Sequence, residues 1–307
     1  ILILDVENEY TALVEQLQGQ VLYLAPDSQS YLNPMDLDLS TDVGESPMLM
    51  QADFLLSQCE LMMASYGNPL MPIEKSLIDR CISLVYRDYL KRPTPENMPI
   101  LGDLYQCLRA QDNHTADDLA TAMEIYVTGS LSYLNHRTNV DLNNRLVCYN
   151  TSKMGQGLKK LVMANVQKHI WQRTTINRYA GVTTRIFLDE FHMLLKEPQT
   201  AAYTAEIYKR FRKWNGIPTS LTQNVKDLLA SPEIENILEN SDFILMLNQG
   251  ASDRGILAQR LGISPQELTH VTNSGEGEGL LFFGDKIIPF VDKFPRDTQL
   301  YRVMTDR

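Results

Sequence analysis

Two adjacent carboxylates follow a short apolar run in R-I-F-L-D-E-F-H, residues 185–192. Such a run predicts a buried strand, and α/β sheets bind ligands at the carboxyl ends of their strands. Asp189 would then hold Mg²⁺, through water, and Glu190 would act as the base that orients an attacking water molecule. The same acids also suit a helix start, where the helix dipole favours negative charge. The motif alone is too short to decide between these interpretations.

A polar amide follows the next predicted strand. Gln223 stands in T-S-L-T-Q-N, residues 219–224, at the carboxyl end of that strand. If that strand neighbours the strand that precedes Asp189, the two residues lie at the same edge of the sheet. The Gln223 side chain would then contact a γ-phosphate or the attacking water. The alternative is that Gln223 only begins a turn.

Two arginines are candidates for neutralising charge on a phosphate. Arg212 lies in Y-K-R-F-R-K-W, residues 208–214, and Arg254 lies in A-S-D-R-G, residues 251–255. One of them would cross a subunit boundary and stabilise the transition state on a neighbouring subunit. A helix with several cations is, however, usually a solvated surface, and the sequence does not choose between the two arginines.

Acids also follow the first predicted strand, in D-V-E-N-E-Y at residues 5–10. They would cap the following helix, or Glu7 or Glu9 would face a nucleotide site. The phosphate loop G-x-x-x-x-G-K-[ST], which such a site requires, does not occur in the 307 residues. G-E-G-E-G at 275–279 has no lysine and no following helix, which indicates a turn.

The composition excludes several classes of protein. With 44% hydrophobic and 21% charged residues, the chain is long enough for one large globular domain or two smaller ones. The net charge of -10 means that nucleic acid would have to bind at a local basic patch. No apolar run has the length of a membrane span. Neither the cysteines nor the histidines have the spacing of metal ligands, so a structural zinc site is not expected. The four cysteines are expected to be core thiols in a reducing compartment; they are Cys59, Cys81, Cys107 and Cys148.

Hydrophobic periodicity predicts an α/β core with a helical insertion. Residues 1–6 and 21–25 are expected strands separated by a helix, whereas residues 47–140 show amphipathic helices, one of them opened by a capping box at T-A-D-D, 115–118. Strands then alternate with helices, which favours a mainly parallel sheet; the expected strands lie at 146–149, 186–188, 219–222 and 243–247. A capping box is expected at S-P-Q-E, 264–267, and a hairpin at 280–291. The predicted division is therefore a core of residues 1–46 and 141–307 with an all-helical insertion at 47–140.

Taken in order, these motifs resemble the conjugation ATPases of type IV secretion systems, the VirB-type and TraC/TrbE-like family in the FtsK/HerA branch of RecA-like motors. The matching segments span nearly the whole chain and are I-L-I-L-D-V-E-N-E-Y, Y-L-N-P-M-D-L, I-F-L-D-E-F-H, R-K-W-N-G-I-P-T-S-L-T-Q-N and G-E-G-L-L-F-F-G-D-K-I-I-P-F-V-D. The resemblance implies a RecA-like P-loop NTPase core, a Walker B motif at Asp189 and Glu190, a sensor-like Gln223, and ATP and Mg²⁺ as cofactors.

The resemblance also implies a function and partners. A motor of this family hydrolyses Mg-ATP to energise assembly of, or substrate transfer through, a secretion or conjugation machine at the cytoplasmic face of the inner membrane. Its expected form is a hexamer, and its expected partners are inner-membrane channel proteins, with conjugative DNA or a relaxase complex as further candidates. Family members carry the phosphate loop just upstream of the strand that matches I-L-I-L-D-V, so we expect the sequence to continue upstream of Ile1.

Three other functions remain open at this stage. A DNA-pumping translocase or coupling protein would need basic loops along a pore, and the acidic total argues mildly against it. A non-catalytic docking scaffold would use the same fold, with the acids only capping helices. D-E-F-H also matches the DExH box of a helicase, but no Q-x-x-R-x-x-R or Ser-Ala-Thr motif follows it. An upstream phosphate loop would favour the motor over the scaffold.

Overall fold

Packing divides the chain into two units. A computed structural model describes residues 1–39, 46–63, 69–196, 198–223, 225–229, 231–272 and 274–305. The first unit comprises Ile1–Asp189 and Lys213–Thr219, and the second comprises Glu190–Arg212 and Ser220–Arg307. The predicted three-part division at residues 46 and 140 stays a prediction, because these units follow packing and not the ends of an insertion.

A five-stranded sheet organises the first unit, in the order β2-β3-β1-β4-β5. Its strands are β1 Leu2–Asp5, β2 Gln20–Tyr23, β3 Val147–Asn150, β4 Thr184–Leu188 and β5 Gly216–Ser220. The pairs β1 with β3, β1 with β4 and β2 with β3 are all parallel. The mainly parallel sheet expected from the alternation of strands and helices is confirmed.

The central strand is apolar because the sheet buries both of its faces. Every residue of β1 is buried, and Leu4 has no exposed surface. Parallel sheets covered on both faces have such continuous apolar strands. Helix α1 Thr11–Gln16 follows β1, and helix α7 Gln156–Tyr179 follows β3. Asp5, the last residue of β1, is also fully buried, so the chain carries a carboxylate into the interior at the strand's carboxyl end.

The segment from 47 to 140 is helical, as expected. Its helices are α2 Pro47–Met63, α3 Pro72–Val85, α4 Arg87–Lys91, α5 Leu101–Arg109 and α6 His114–Val127, and the described residues of this segment contain no strand. The predicted capping box at Thr115 is wrong. Helix α6 begins earlier, because the side chain of Asn113 accepts a hydrogen bond from the N–H of Ala116 at 3.2 Å. Asparagine is at least as good an N-cap as threonine, so the cap moves two residues upstream.

The loop that contains N-P-M-D, residues 33–36, is anchored from several helices. The Nζ of Lys168 on α7 donates to the carbonyls of Pro34 at 2.8 Å and of Asp36 at 2.6 Å. The amide of Gln51 on α2 also donates to the Pro34 carbonyl, at 2.9 Å. The phenol of Tyr86 donates to the Met35 carbonyl. A buried loop needs partners for its polar backbone, and these side chains provide them.

The second unit contains a separate antiparallel sheet, in the order β6-β7-β8. Its strands are β6 Phe243–Met246, β7 Glu278–Phe283 and β8 Lys286–Val291, and its helices are α8 Pro198–Phe211, α9 Val225–Leu229, α10 Ile234–Glu239, α11 Ala251–Leu261, α12 Pro265–Leu268 and α13 Gln299–Thr305. The predicted hairpin and the capping box at Ser264 are confirmed.

Strand β6 differs from the sequence prediction, which assigned residues 243–247 to the parallel sheet. It pairs antiparallel with β7, with Met246 opposite Leu280 and Ile244 opposite Phe282. These four side chains join one apolar cluster, so the burial of their shared face explains the pairing. Among the helices that the structure describes, none combines the length and apolar character needed to cross a bilayer.

Candidate active site

Asp189 lies at the carboxyl end of β4 in the first unit. Its N–H donates to the carbonyl of Leu4 at 3.0 Å, and the register pairs Leu4 with Leu188. Asp189 therefore stands beside Asp5, the last residue of the neighbouring strand. Its residue surface is 6% exposed, so the carboxylate is held within the protein at the edge where α/β sheets bind ligands.

Asp5 braces the turn after β1. Its Oδ1 accepts the N–H of Glu9 at 3.0 Å, and its Oδ2 accepts the N–H of Tyr10 at 3.1 Å. The thiol of Cys148 also donates to Oδ2, at 3.8 Å. The expected helix cap is wrong: among the described residues no side chain caps the first turn of α1, and Asp5 instead holds the turn before it, whereas Glu7 and Glu9 are exposed.

The two carboxylates give this part of the first unit a negative field. The pKa of Tyr10 is raised to about 12 by burial first and then by the negative charge of Asp189, with smaller effects of Glu9 and Asp5. Burial and the neighbouring Asp5 likewise raise the pKa of the Cys148 thiol. Both shifts are expected where negative charge meets a low dielectric.

Side chains at the end of β3 tie the neighbouring turns together. The Nδ2 of Asn150 donates to the Oδ1 of Asn8 at 2.6 Å and to the hydroxyl of Thr11 at 3.0 Å. A cavity of about 160 Å³ lies beside it, at the carboxyl ends of β2 and β3. It is lined by Tyr23, Ala25, Asp27, Ser28, Asn150 and Lys153.

Glu190, the next residue along the chain, begins the second unit. Its backbone is left-handed, with φ 43° and ψ 45°, which is uncommon for a residue other than glycine. Its Oε2 accepts the hydroxyl of Thr222 at 3.2 Å and the N–H of Gln223 at 3.4 Å. The Nδ1 of His192 lies 3.0 Å from the same oxygen. Three polar groups therefore converge on one carboxylate oxygen.

The structure brings Gln223 to Glu190, but through its backbone. Its N–H makes the contact, and the residue is exposed. Directly before it, the carbonyl of Leu221 accepts the N–H of Phe191 at 3.0 Å, which joins the two segments. The role of the Gln223 side chain at a phosphate or a water stays a prediction.

The two candidate arginines differ in surroundings. Arg212 lies just beyond the end of α8 and forms an exposed ion pair with Asp242, with a nitrogen to oxygen distance of 3.8 Å. Arg254 lies on α11, and its Nε is buried without a hydrogen-bond partner among the described residues. A buried donor of this kind is better prepared to bind an anion than a solvated one.

The donor set at Asp189 suits Mg²⁺ bound together with a nucleotide. No group of three or more His, Cys, Asp or Glu side chains forms a metal cage in the part of the chain that the structure describes. Mg²⁺ keeps several waters and commonly uses one or two carboxylates with substrate phosphates. One buried carboxylate at a strand end matches that pattern, whereas the glycine-rich loop that binds the phosphates is not in the 307-residue sequence.

Comparison with known proteins supplies the family. The sequence model of the TraG P-loop domain matches residues 102–273, more than half of the chain. The chain belongs to the TraG P-loop domain family. No curated protein matches it by sequence. The family assignment agrees with the resemblance seen in the motifs: this TraG P-loop domain is a P-loop ATPase domain of the conjugation and type IV secretion class.

Solved structures share the fold of the TraG P-loop domain. VirB4 of Thermoanaerobacter pseudethanolicus superposes with a TM-score of 0.82 at 24% identity, over 96% of this chain and 81% of that one. The plasmid coupling protein TrwB, in complex with ADP and Mg²⁺, gives a TM-score of 0.53 at 11% identity, over 97% of this chain and 87% of that one. At these identities the two comparisons establish the RecA-like fold.

Sequence reasoning missed His192 and Thr222. His192 follows Glu190 by two residues in D-E-F-H, and Thr222 directly precedes Gln223. The histidine was visible in the motif, but its contact with the carboxylate depends on the left-handed turn at Glu190. Thr222 is 32 residues from Glu190 in sequence, so only the folded chain brings the two together.

Proposed function

We propose that Asp189, Glu190 and Gln223 form the metal-and-water arm of an ATP-hydrolysing site. The observation that carries this proposal is the pair of acids at the end of β4. The first is buried, and the second has its carboxylate fixed by three polar contacts. Acids that only capped a helix would contact N–H groups of their own first turn, whereas the Glu190 carboxylate contacts a segment 32 residues away.

The three residues would have separate tasks. Asp189 would hold Mg²⁺ through water, and the ion would supply charge neutralisation for the phosphates. Glu190 would orient the attacking water and take its proton. The Gln223 amide would contact the γ-phosphate or that water. Arg254 or Arg212 would serve a neighbouring subunit, which requires self-association.

From the family we also propose the process that ATP hydrolysis would drive. Hydrolysis would energise assembly of, or transfer through, a conjugation or type IV secretion machine, with a hexamer as the working form. The protein would act at the cytoplasmic face of the inner membrane beside channel proteins. Conjugative DNA or a relaxase complex would be the transported partner in the conjugative case.

Turnover measurements on the protein purified at its natural length test the site. Wild type should hydrolyse ATP only with Mg²⁺. Glu190→Gln should bind nucleotide with unchanged affinity but should not hydrolyse it. Asp189→Asn should not hydrolyse ATP even when Mg²⁺ is added. Glu7→Gln, which changes an exposed acid, serves as the matched control. Full turnover in Glu190→Gln would remove Glu190 from its assigned role, and absence of ATP binding in wild type would favour the docking scaffold.

A DNA-pumping coupling protein is the second candidate. It is favoured by the match to the coupling protein TrwB, which extends over 97% of this chain. A pump should hydrolyse ATP faster when duplex DNA is added, and the stimulation should fall with salt, because phosphate contacts release counterions. Turnover that does not respond to DNA at low salt would exclude this candidate.

A further inference from the structure

We propose that Thr222 and His192 are positioning residues that anchor one oxygen of the Glu190 carboxylate, so that the other oxygen faces the attacking water. The inference rests on the proposed function, since it assigns Glu190 to the water. It assigns a role to two further residues and links the Glu190 carboxylate to the segment that follows β5.

The contacts form a closed triangle. The Thr222 hydroxyl lies 3.2 Å from the Oε2 of Glu190 and 3.0 Å from the Nδ1 of His192, and Nδ1 lies 3.0 Å from the same Oε2. An ionised carboxylate can only accept hydrogen bonds, so Thr222 and His192 are both donors to it. The contact therefore requires the hydrogen of His192 on Nδ1. The third donor is the N–H of Gln223, at 3.4 Å.

All three donors meet at Oε2, which leaves Oε1 as the oxygen that can face a water molecule. The side chains of Glu190 and His192 are only 12% and 11% exposed, so their contact is largely shielded from solvent. Hydrogen bonds in such surroundings are stronger than in water and fix the rotamer of the carboxylate. A base that acts on water needs this fixed geometry, because misplacement of a reacting group slows catalysis steeply.

The backbone at Glu190 supports the same conclusion. A non-glycine residue with φ 43° is strained and persists only where its surroundings hold it. The hydrogen bond from Phe191 to the Leu221 carbonyl, at 3.0 Å, and the Thr222 contact both hold the turn. Both partners lie in the segment that follows β5. A displacement of this segment would therefore move the Glu190 carboxylate as well.

Paired substitutions separate positioning from packing. Thr222→Val and His192→Leu remove the donors at similar volume, whereas Thr222→Ser and His192→Asn keep a donor at nearly the same place. We expect each variant of the first pair to lower kcat about 10–100-fold, a loss typical of residues that orient a functional side chain by hydrogen bonding. The KM for ATP should stay within about twofold of the wild-type value. The second pair should retain most of kcat. Thr219→Val, at an exposed threonine of β5, is the matched control.

The outcomes separate this inference from the proposed function. If wild type is active, Glu190→Gln is inactive, and Thr222→Val and His192→Leu keep full kcat, the positioning role is wrong while the function stands. Equal losses in Thr222→Val and Thr222→Ser would also overturn the inference, because a donor would then not be what matters. Thermal unfolding of each variant shows whether it is folded. If a variant at one of the two positions does not fold, the two variants at the other position test the positioning role. Inactive wild type would instead contradict the proposed function.

Discussion

The N–H of Asp189 donates to the carbonyl of Leu4 at 3.0 Å, so the ladder between β1 and β4 continues past the last residue of β4. This contact places Asp189 beside Asp5, the last residue of β1. Both carboxylate oxygens of Asp5 accept backbone N–H groups of the next turn. Asp5 is thus a structural carboxylate, and Asp189 is the one proposed to hold the metal.

Removal of the Asp5 carboxylate should destabilise the first unit. In Asp5→Ala, the N–H groups of Glu9 and Tyr10 lose their acceptors in a partly buried turn, which should lower the free energy of unfolding by about 1–3 kcal/mol. Denaturant titration measures the loss. Glu7→Ala, at an exposed acid of the same turn, should change stability by less than about 0.5 kcal/mol. Equal stabilities of the two variants would contradict the bracing role of Asp5.

The arginine substitutions should have unequal effects on turnover. Arg254→Ala should lower kcat at least about tenfold, because an arginine that neutralises transition-state charge contributes strongly to phosphoryl transfer. Arg212→Ala should leave kcat within about twofold, because it loses only an exposed ion pair with Asp242. Steady-state ATP turnover under identical conditions tests both variants. The reverse order of effects would assign the catalytic role to Arg212.

Lys168 should make stability depend on pH. Burial lowers its pKa to about 7, partly offset by the charge of Asp36. Because the unfolded chain retains the ordinary lysine pKa, it binds more protons than the folded chain between about pH 7 and 10, so this group raises the free energy of unfolding as pH rises through that window. Lys168→Met should lose this rise and be less stable by about 1–3 kcal/mol, since the carbonyls of Pro34 and Asp36 lose a donor.

Denaturant titrations at several pH values across that window compare Lys168→Met with wild type. The stability difference between them should widen as pH rises. Lys153→Met, at an exposed lysine of the same unit, is the control and should follow the wild-type pH dependence. A difference that stays constant with pH would show that Lys168 does not titrate in the folded protein within this window.

Two glycines of the second unit should respond oppositely to alanine. A Cβ at Gly279 would lie 2.1 Å from the carbonyl oxygen of Met246, so Gly279→Ala must push β6 and β7 apart and destabilise the sheet. A Cβ at Gly255, within α11, meets nothing within 4 Å, so Gly255→Ala should stabilise the helix by about 0.5–1 kcal/mol. Thermal unfolding compares them, and a stable Gly279→Ala would contradict the pairing of β6 with β7.

The sequence alone determined the parallel sheet, the helical segment after residue 46 and the acids at the end of β4. These features depend on local periodicity and on residue type at strand ends, which a linear sequence records. The family followed from the order of motifs, since the combination of motifs is far more specific than any single one.

Tertiary structure decided which polar groups meet. The pairing of β6 with β7 and the contact of Thr222 with Glu190 join residues distant in sequence, and no local pattern encodes such contacts. The same holds for Asp5, whose role in bracing the turn after β1 depends on the two N–H groups that the fold brings onto its carboxylate. Folding assigns a role to a carboxylate through the donors that it places around that group.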